Sequence, residues 1–250
     1  MLISIITATY NSQQFVHEAL SSFAIQDYQE KELIVIDGAS KDATLSIVRE
    51  QLTEKDILLS QPDLGIYDAL NKGINLAKGE IIGILHSDDL FASPQVLSKV
   101  MQKFKDNPTI QAVYGDLQYV DRKDTTKVIR HWNSGVFSRN EMKRGWMPPH
   151  PTLFIRKECF TKYGTYNLSY HSAADYDLIL RMLYKEKIKT TYIPEVLVKM
   201  RVGGLSNHSL KNRWRANKED RKAMRINGIP FHLWASFLKP LRKLSQFWKT

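Results

Sequence analysis

The chain has 250 residues, of which 43% are apolar, 25% charged and 10% aromatic. These are ordinary globular proportions, and they exclude disordered, collagen-like and coiled-coil classes. A single cysteine, Cys159, excludes an internal disulfide framework or a cysteine-rich zinc site and reads as a buried structural thiol. The net charge of +10 is lopsided: residues 199–250 hold 13 Lys+Arg against 2 Asp+Glu, and the rest of the chain is near neutral. Such an asymmetry suits an anionic surface.

The chain opens on Leu2-Ile3-Ser4-Ile5-Ile6 with no basic region before it, which reads as a first strand rather than a signal peptide. No run reaches the roughly 18 apolar residues of a spanning helix. A cytoplasmic protein is expected, either soluble or peripheral to the inner face of the cell membrane.

The first half alternates strands with helices. Residues 2–9 form an apolar run of strand length. Residues 12–26 place Phe15, Ala19, Leu20 and Phe23 at helical spacing, with Ser12 as the cap. A second strand covers 32–37 and a second helix 42–52. A short strand at 57–60 precedes a helix whose face is Ile66, Ala69, Leu70, Ile74 and Ala77, ended by Gly79. Residues 80–85 are a fourth strand. Strands buried on both faces and alternating with helices predict a parallel sheet with right-handed crossovers.

The second half is less regular. Helix is expected at 93–104 and at 174–184, and strand at 112–121, 127–132, 152–156 and 190–200. Pro148, Pro149 and Pro151 make 147–151 a rigid loop.

Ligands of parallel α/β sheets bind beyond the carboxyl ends of the strands. Four such ends are polar: 7–11, 37–42, 62–68 and 86–89. Asp88 and Asp89 follow an apolar strand directly, and adjacent carboxylates there call for a compensating cation; a divalent metal on oxygen ligands would in turn neutralise a diphosphate. Asp37 can accept from a ribose hydroxyl or a base N–H, while Gly38 permits a tight turn and close backbone approach. Asp42 reads as a helix cap. Tyr10 offers a stacking ring.

In order, the blocks Thr7-Ala8-Thr9-Tyr10-Asn11, Val35-Ile36-Asp37-Gly38-Ala39-Ser40-Lys41-Asp42, Asp63 to Ile74, Gly83-Ile84-Leu85-His86-Ser87-Asp88-Asp89 and Ala173-Ala174-Asp175-Tyr176-Asp177-Leu178 closely resemble the family 2 glycosyltransferases over about residues 1–200. The resemblance implies the glycosyltransferase A fold: a Rossmann-like, mostly parallel central sheet flanked by helices. It implies a catalytic domain at 1–205, with a nucleotide-sugar half at 1–90 and an acceptor half at 91–205. Residues 206–250 are left as a basic, amphipathic helical extension.

The resemblance places Thr7, Thr9, Tyr10, Asp37 and Asp68 at the nucleotide-sugar. It places Asp89 and Asp88 on a divalent metal, manganese or magnesium, with Asp88 also at the donor. Many relatives carry Asp where this chain has His86. Asp175 matches the catalytic base, often preceded by Glu but here by Ala174. A carboxylate suits that role, because inversion needs a group that takes the acceptor hydroxyl's proton during in-line attack. Arg201 is expected at the diphosphate, His208 as a further metal ligand, and His150 and Trp146 at the acceptor. Asp177 is expected to face solvent or pair with Arg181, four residues on.

The function implied is an inverting, metal-dependent transfer of one sugar from a nucleotide-sugar, UDP-linked above all, to a glycan hydroxyl. A lipid-linked acceptor in bacterial surface-polysaccharide assembly fits a tail that touches anionic membrane. In that tail Trp234, Phe237, Leu238, Leu241, Leu244 and Trp248 share one helical face. A nucleotidyltransferase is excluded, since residues 7–14 lack the glycine and basic residue of a triphosphate loop. Nucleic acid is disfavoured by carboxylate-rich strand ends. Ala174 and His86 leave a non-catalytic sugar-nucleotide binder as the alternative.

Overall fold

The computed structural model describes residues 1–203 and 210–230, with side chains omitted at 210–213. Strands β1 (Ile3–Thr9), β2 (Lys31–Asp37), β3 (Ile57–Ser60) and β4 (Ile81–Ile84) are mutually parallel in the order β3-β2-β1-β4. They alternate with α1 (Val16–Ala24), α2 (Thr44–Gln51) and α3 (Ile66–Leu76). Every residue of β1 is buried. Ile3 and Ile5 pack with α1 through Val16, Leu20 and Phe23, while Ile6 and Ala8 pack with α3 through Ala69, Leu70 and Ile74. Burial on both faces is why β1 reads as an unbroken apolar run.

The second half extends the same sheet. It holds β5 (Leu90–Phe91), α4 (Val96–Asp106), β6 (Ala112–Val120), β7 (Val128–Trp132), α5 (Arg139–Met142), β8 (Phe154–Arg156), α6 (Lys157–Tyr163), α7 (Ala174–Ile179), β9 (Thr190–Arg201) and α8 (Leu210–Ile226). The full order is β3-β2-β1-β4-β8-β6-β9-β5, with β7 against β6. β8 lies antiparallel between β4 and β6, whereas β6 and β9 are parallel. β5 pairs antiparallel with the end of β9, Leu90 opposite Lys199, so the turn after β4 is carried to the tip of β9.

Several expected boundaries shift for local reasons. α1 begins at Val16 because Ser12 opens a turn ahead of it: its carbonyl accepts from Phe15 and Val16, after Asn11 at φ +48°. Ser12 therefore does not cap the helix with its side chain, which instead meets Ser87 Oγ at 3.0 Å. Asp42 stands one residue before the cap position, Ala43, and accepts from the Thr44 N–H at 3.0 Å. α3 ends at Leu76, not at Gly79. A side chain at Gly79 would meet the Ser4 backbone nitrogen at 2.6 Å, so this glycine serves close packing. The left-handed residue after β2 is Ala39 (φ +62°) rather than Gly38, whose missing Cβ would lie 2.7 Å from Asp63 Oδ2. The helix expected over 174–184 is α-helical only to Ile179 and continues as π-helical turns over Leu180–Lys185.

α8 does not stand apart as an extension. Ala223, Met224 and Ile229 enter the hydrophobic core that also holds Tyr176 and Leu180. The inner face of α8 thus packs with the rest of the fold. The expected amphipathic face over 234–248 lies outside the described residues.

Candidate active site

The site is built where the carboxyl ends of β1, β2 and β4 meet α7. Asp37, the last residue of β2, is fully buried. Its carboxylate accepts from the Ser40 N–H at 3.0 Å, from Ser40 Oγ, and from Ser60 Oγ at 2.7 Å. Ser40 in turn receives the Asn11 N–H, and Asn11 Oδ1 receives the Lys41 N–H. The β1 and β2 loops are thus tied together around one carboxylate. Tyr10 stands beside them with its ring 60% exposed, as a stacking surface requires. Thr7 and Thr9 are buried at the end of β1, and neither Oγ1 has a hydrogen-bond partner among the described residues.

Asp68 sits in the first turn of α3, where it accepts from the Leu64 N–H at 3.0 Å and pairs with Lys72 at 3.0 Å. The Leu64 bond and then the lysine hold its carboxyl below the usual carboxylate range. Its first task is to shape the loop before α3. Gly65 in that loop has φ +112°, a conformation that favours glycine.

Asp89 is 1% exposed. One oxygen accepts from the Arg201 N–H at 3.3 Å, and Oδ2 has no partner among the described residues. Burial, reinforced by Asp88, pushes its carboxyl well above the usual range against the pull of Arg201. A buried, orphaned carboxylate oxygen beside a second carboxylate is what a cation would satisfy. Among the described residues no cluster of three or more His, Cys, Asp or Glu is assembled. Asp88 and Asp89 thus offer two carboxylates of the oxygen-donor kind that a hard cation takes. His208, the further expected ligand, lies outside the described residues.

Arg201 does not reach for a diphosphate, and that expectation is corrected. Its side chain is 1% exposed. The guanidinium donates to the Asp88 carbonyl at 2.7 Å, the Arg122 carbonyl at 3.1 Å and Glu18 at 2.6 Å, and it lies 4.7 Å over the Phe15 ring. It fastens the Asp88–Asp89 turn from behind.

Asp175, at the start of α7, comes to the same site from the second half of the chain. Tyr67 of α3 donates to its Oδ1 at 3.2 Å, and the Tyr176 N–H donates to the same oxygen at 2.8 Å. His86 feels both Asp88 and Asp175, although burial and then His150 dominate and push its imidazole down to about 4. The His86 ring faces His150 at 5.9 Å.

His150, expected at the acceptor, is only 7% exposed. It is bonded to Tyr166 Oη at 2.7 Å, and burial lowers it to about 4. Its ring lies tilted at 33° to that of His86. Trp146 is half-buried, its indole N–H on the Ser134 carbonyl at 2.8 Å and its ring edge-on to Tyr114 and Phe137. Asp177 pairs with Arg181 at 3.3 Å as expected, but it is buried, and Asn227 donates to its other oxygen at 2.9 Å. Cys159 is a buried free thiol.

Sequence reasoning missed Ser40, Ser60, Tyr67, Tyr166 and Glu18, which hold the expected carboxylates and rings in place. Tyr67 had a usable signal, since it lies inside the block Gly65-Ile66-Tyr67-Asp68-Ala69. Glu18 had none.

The sheet and the helices that flank it are those of a glycosyltransferase A fold. A mannosyltransferase from Pyrobaculum calidifontis, solved with GDP-mannose and Mn2+, superposes with a TM-score of 0.69 at 20% identity, covering 94% of this chain and 69% of that one. Staphylococcus aureus TarS, solved with UDP-GlcNAc, gives 0.68 at 20% identity, over 91% of this chain and 65% of that one. The glycosyl transferase family 2 profile matches residues 4–164, and the chain belongs to that family. A glycosyltransferase of PGL/p-HBAD biosynthesis from Mycobacterium tuberculosis is 30% identical over an alignment of 213 positions that covers 82% of this chain and 79% of that protein. An uncharacterized glycosyltransferase of Haemophilus influenzae is 26% identical over an alignment of 249 positions that covers 93% of this chain and 74% of the relative. Among the described residues no helix is long and apolar enough to cross a membrane.

Proposed function

We propose that this glycosyltransferase moves one sugar from a nucleotide-sugar to a hydroxyl of a glycan acceptor, with inversion. The observation that carries the reading is the Tyr67–Asp175 contact. It brings a carboxylate from α7 to the nucleotide half of the sheet, against the His86 that also feels Asp88.

In this reading Asp37 receives polar hydrogens of the nucleoside, and the exposed Tyr10 ring stacks on the base. Asp88 and Asp89 hold manganese or magnesium, which when bound neutralises the diphosphate leaving group. The Asp175 oxygen not taken by Tyr67 accepts the proton of the attacking hydroxyl as the bond from the anomeric carbon to the diphosphate breaks. Asp68 shapes the donor loop. The half-buried Trp146 and His86, the latter backed by the buried His150, line the acceptor side. A GDP-mannose-bound and a UDP-GlcNAc-bound neighbour, both distant, support a nucleotide-sugar donor without choosing its base.

A lipid-linked acceptor in surface-polysaccharide assembly is proposed from the basic outward face of α8. The outward face of α8 carries Trp214 at 68% exposure and exposed Arg215, Lys218, Lys222 and Arg225. Such a face suits the anionic inner surface of the cell membrane.

Calorimetric titration of UDP, GDP and dTDP, with manganese and with chelator, tests the donor site. Metal-dependent binding of one diphosphate is the expected result. Binding of none, with or without metal, would overturn the donor reading.

A further inference from the structure

We infer that Glu219 of α8 is a positioning residue for Asp175, holding the start of the helix that carries the base. The inference rests on the reading of Asp175 as that base.

α7 begins without a cap of its own. The residue at the cap position is Ala173, which has no side-chain oxygen to offer the free N–H groups of the first turn. Glu219, from another helix, instead anchors the backbone that leads into α7, taking the N–H of the cap residue Ala173 and of the two residues before it. Its Oε2 accepts the Ser172 N–H at 2.8 Å, the Ala173 N–H at 3.2 Å, the His171 N–H at 3.1 Å and the Ser172 hydroxyl at 3.1 Å. Oε1 accepts the His171 N–H at 3.2 Å and faces Arg215 at 3.8 Å. Three successive backbone N–H groups thus converge on one carboxylate two residues before Asp175. These bonds outweigh the opposing effect of burial and hold the Glu219 carboxyl below its ordinary range.

A second tie fixes the same helix one turn lower. Asn227 Nδ2, just beyond α8, donates to Asp177 Oδ1 at 2.9 Å, and Ala223 and Met224 fill the space between the ties. α8 thereby sets both the axial position and the rotation of α7. Asp175 is aimed by that rotation: one oxygen meets Tyr67 and the Tyr176 N–H, which leaves the other for chemistry. Glu219 is one of only two acids among residues 199–250, where charge alone would favour a base.

The test compares Glu219→Ala, Glu219→Gln and Glu219→Asp. Turnover is read as nucleoside diphosphate released, with manganese, from whichever of UDP-glucose, UDP-N-acetylglucosamine, GDP-mannose and dTDP-rhamnose the protein binds. Water then serves as acceptor. A misaimed base lowers kcat and leaves donor affinity alone, so Glu219→Ala is expected to lose about tenfold or more in kcat with donor KM within about twofold. Glu219→Gln keeps an accepting oxygen and recovers most of that loss. Glu219→Asp keeps the charge, shortens the reach and falls between, which preserves the test if Glu219→Ala does not fold. Amide exchange over residues 171–178 should rise in the order Gln, Asp, Ala.

A merely structural role would lower Tm and leave kcat of the folded protein unchanged. Full kcat in folded Glu219→Ala or Glu219→Asp would overturn the inference. Asp175→Asn separates it from the reading beneath. If that variant keeps full turnover, the base assignment itself falls. If it is inactive while Glu219→Ala turns over normally, only the positioning role falls.

Discussion

Arg201 and Glu18 close an ion pair at 2.6 Å between the end of β9 and the first turn of α1, across 183 positions of chain. The arginine end is buried and the glutamate end is half in water. The pair therefore does more to orient the guanidinium than to stabilise the fold by charge. What it orients is the bond to the Asp88 carbonyl and the stack on Phe15, where Arg122 lies on the same ring at 4.7 Å. Arg201→Met is expected to free the Asp88–Asp89 turn. Manganese-dependent nucleotide binding should weaken by about tenfold and stability fall by about 2 kcal/mol, from the unpaired Asp88 carbonyl. Arg201→Lys should not rescue it, since one ammonium cannot serve three acceptors in a plane. Calorimetry with and without manganese, beside urea unfolding, checks both; unchanged affinity would remove Arg201 from the metal turn.

Asp175→Asn is expected to abolish turnover and leave nucleotide affinity intact, because the amide cannot take a proton. Tyr67→Phe removes only the 3.2 Å bond that orients the carboxylate. Its expected cost is about fivefold to tenfold in kcat, the scale of one orienting hydrogen bond. Equal losses in the two variants would make Tyr67 part of the chemistry instead of its support.

The buried His150 makes the fold sensitive to acid. Its imidazole is held near 4 when folded and returns to about 6.5 when unfolded. The unfolded chain therefore binds a proton between those values that the folded chain refuses. Stability is complete above about pH 6.5, falls as pH drops toward 4, and is flat in this contribution below that. The loss is on the order of 3 kcal/mol for the one site. His150→Gln, which still reaches Tyr166 Oη, should flatten the slope of unfolding free energy between pH 6.5 and 5. An unchanged slope would show that other groups govern the acid limb.

Legibility in the sequence tracks burial. β1, β2 and β4 are buried on both faces, so they appear as apolar runs and their polar ends stand out. β5 and β8 have two and three residues, too few for any period, and their places come from pairing with β9, β4 and β6. The carboxylates Asp37, Asp88, Asp89 and Asp175 are readable as residues. Their supports are not, because Ser60, Glu18 and Glu219 act on partners 23, 183 and 47 positions away. Arg201 misleads for the same reason: a loop-edge arginine suits phosphate, and only the fold shows its donors already engaged.

The outer face of α8 gives the membrane proposal a test on described residues. Trp214, Lys218 and Arg225 lie on the side turned away from Ala223, Met224 and Asn227, so changing them leaves the inner contacts with α7 in place. Each basic residue near an anionic surface contributes about 1 kcal/mol, and the effect decays within a Debye length. Reversing two charges with Lys218→Glu and Arg225→Glu should reduce binding to phosphatidylglycerol-containing vesicles by more than about tenfold. Trp214→Ser should weaken it further, and in a way that added salt does not mask, since the ring's contribution is apolar. Binding to neutral phosphatidylcholine vesicles should be weak throughout. Chains ending at Pro230 separate this face from residues 231–250: if such a chain keeps its charge-sensitive binding, α8 is the docking surface. If the triple variant of the full chain still sediments completely with anionic vesicles, the outer face of α8 is not where the membrane is met.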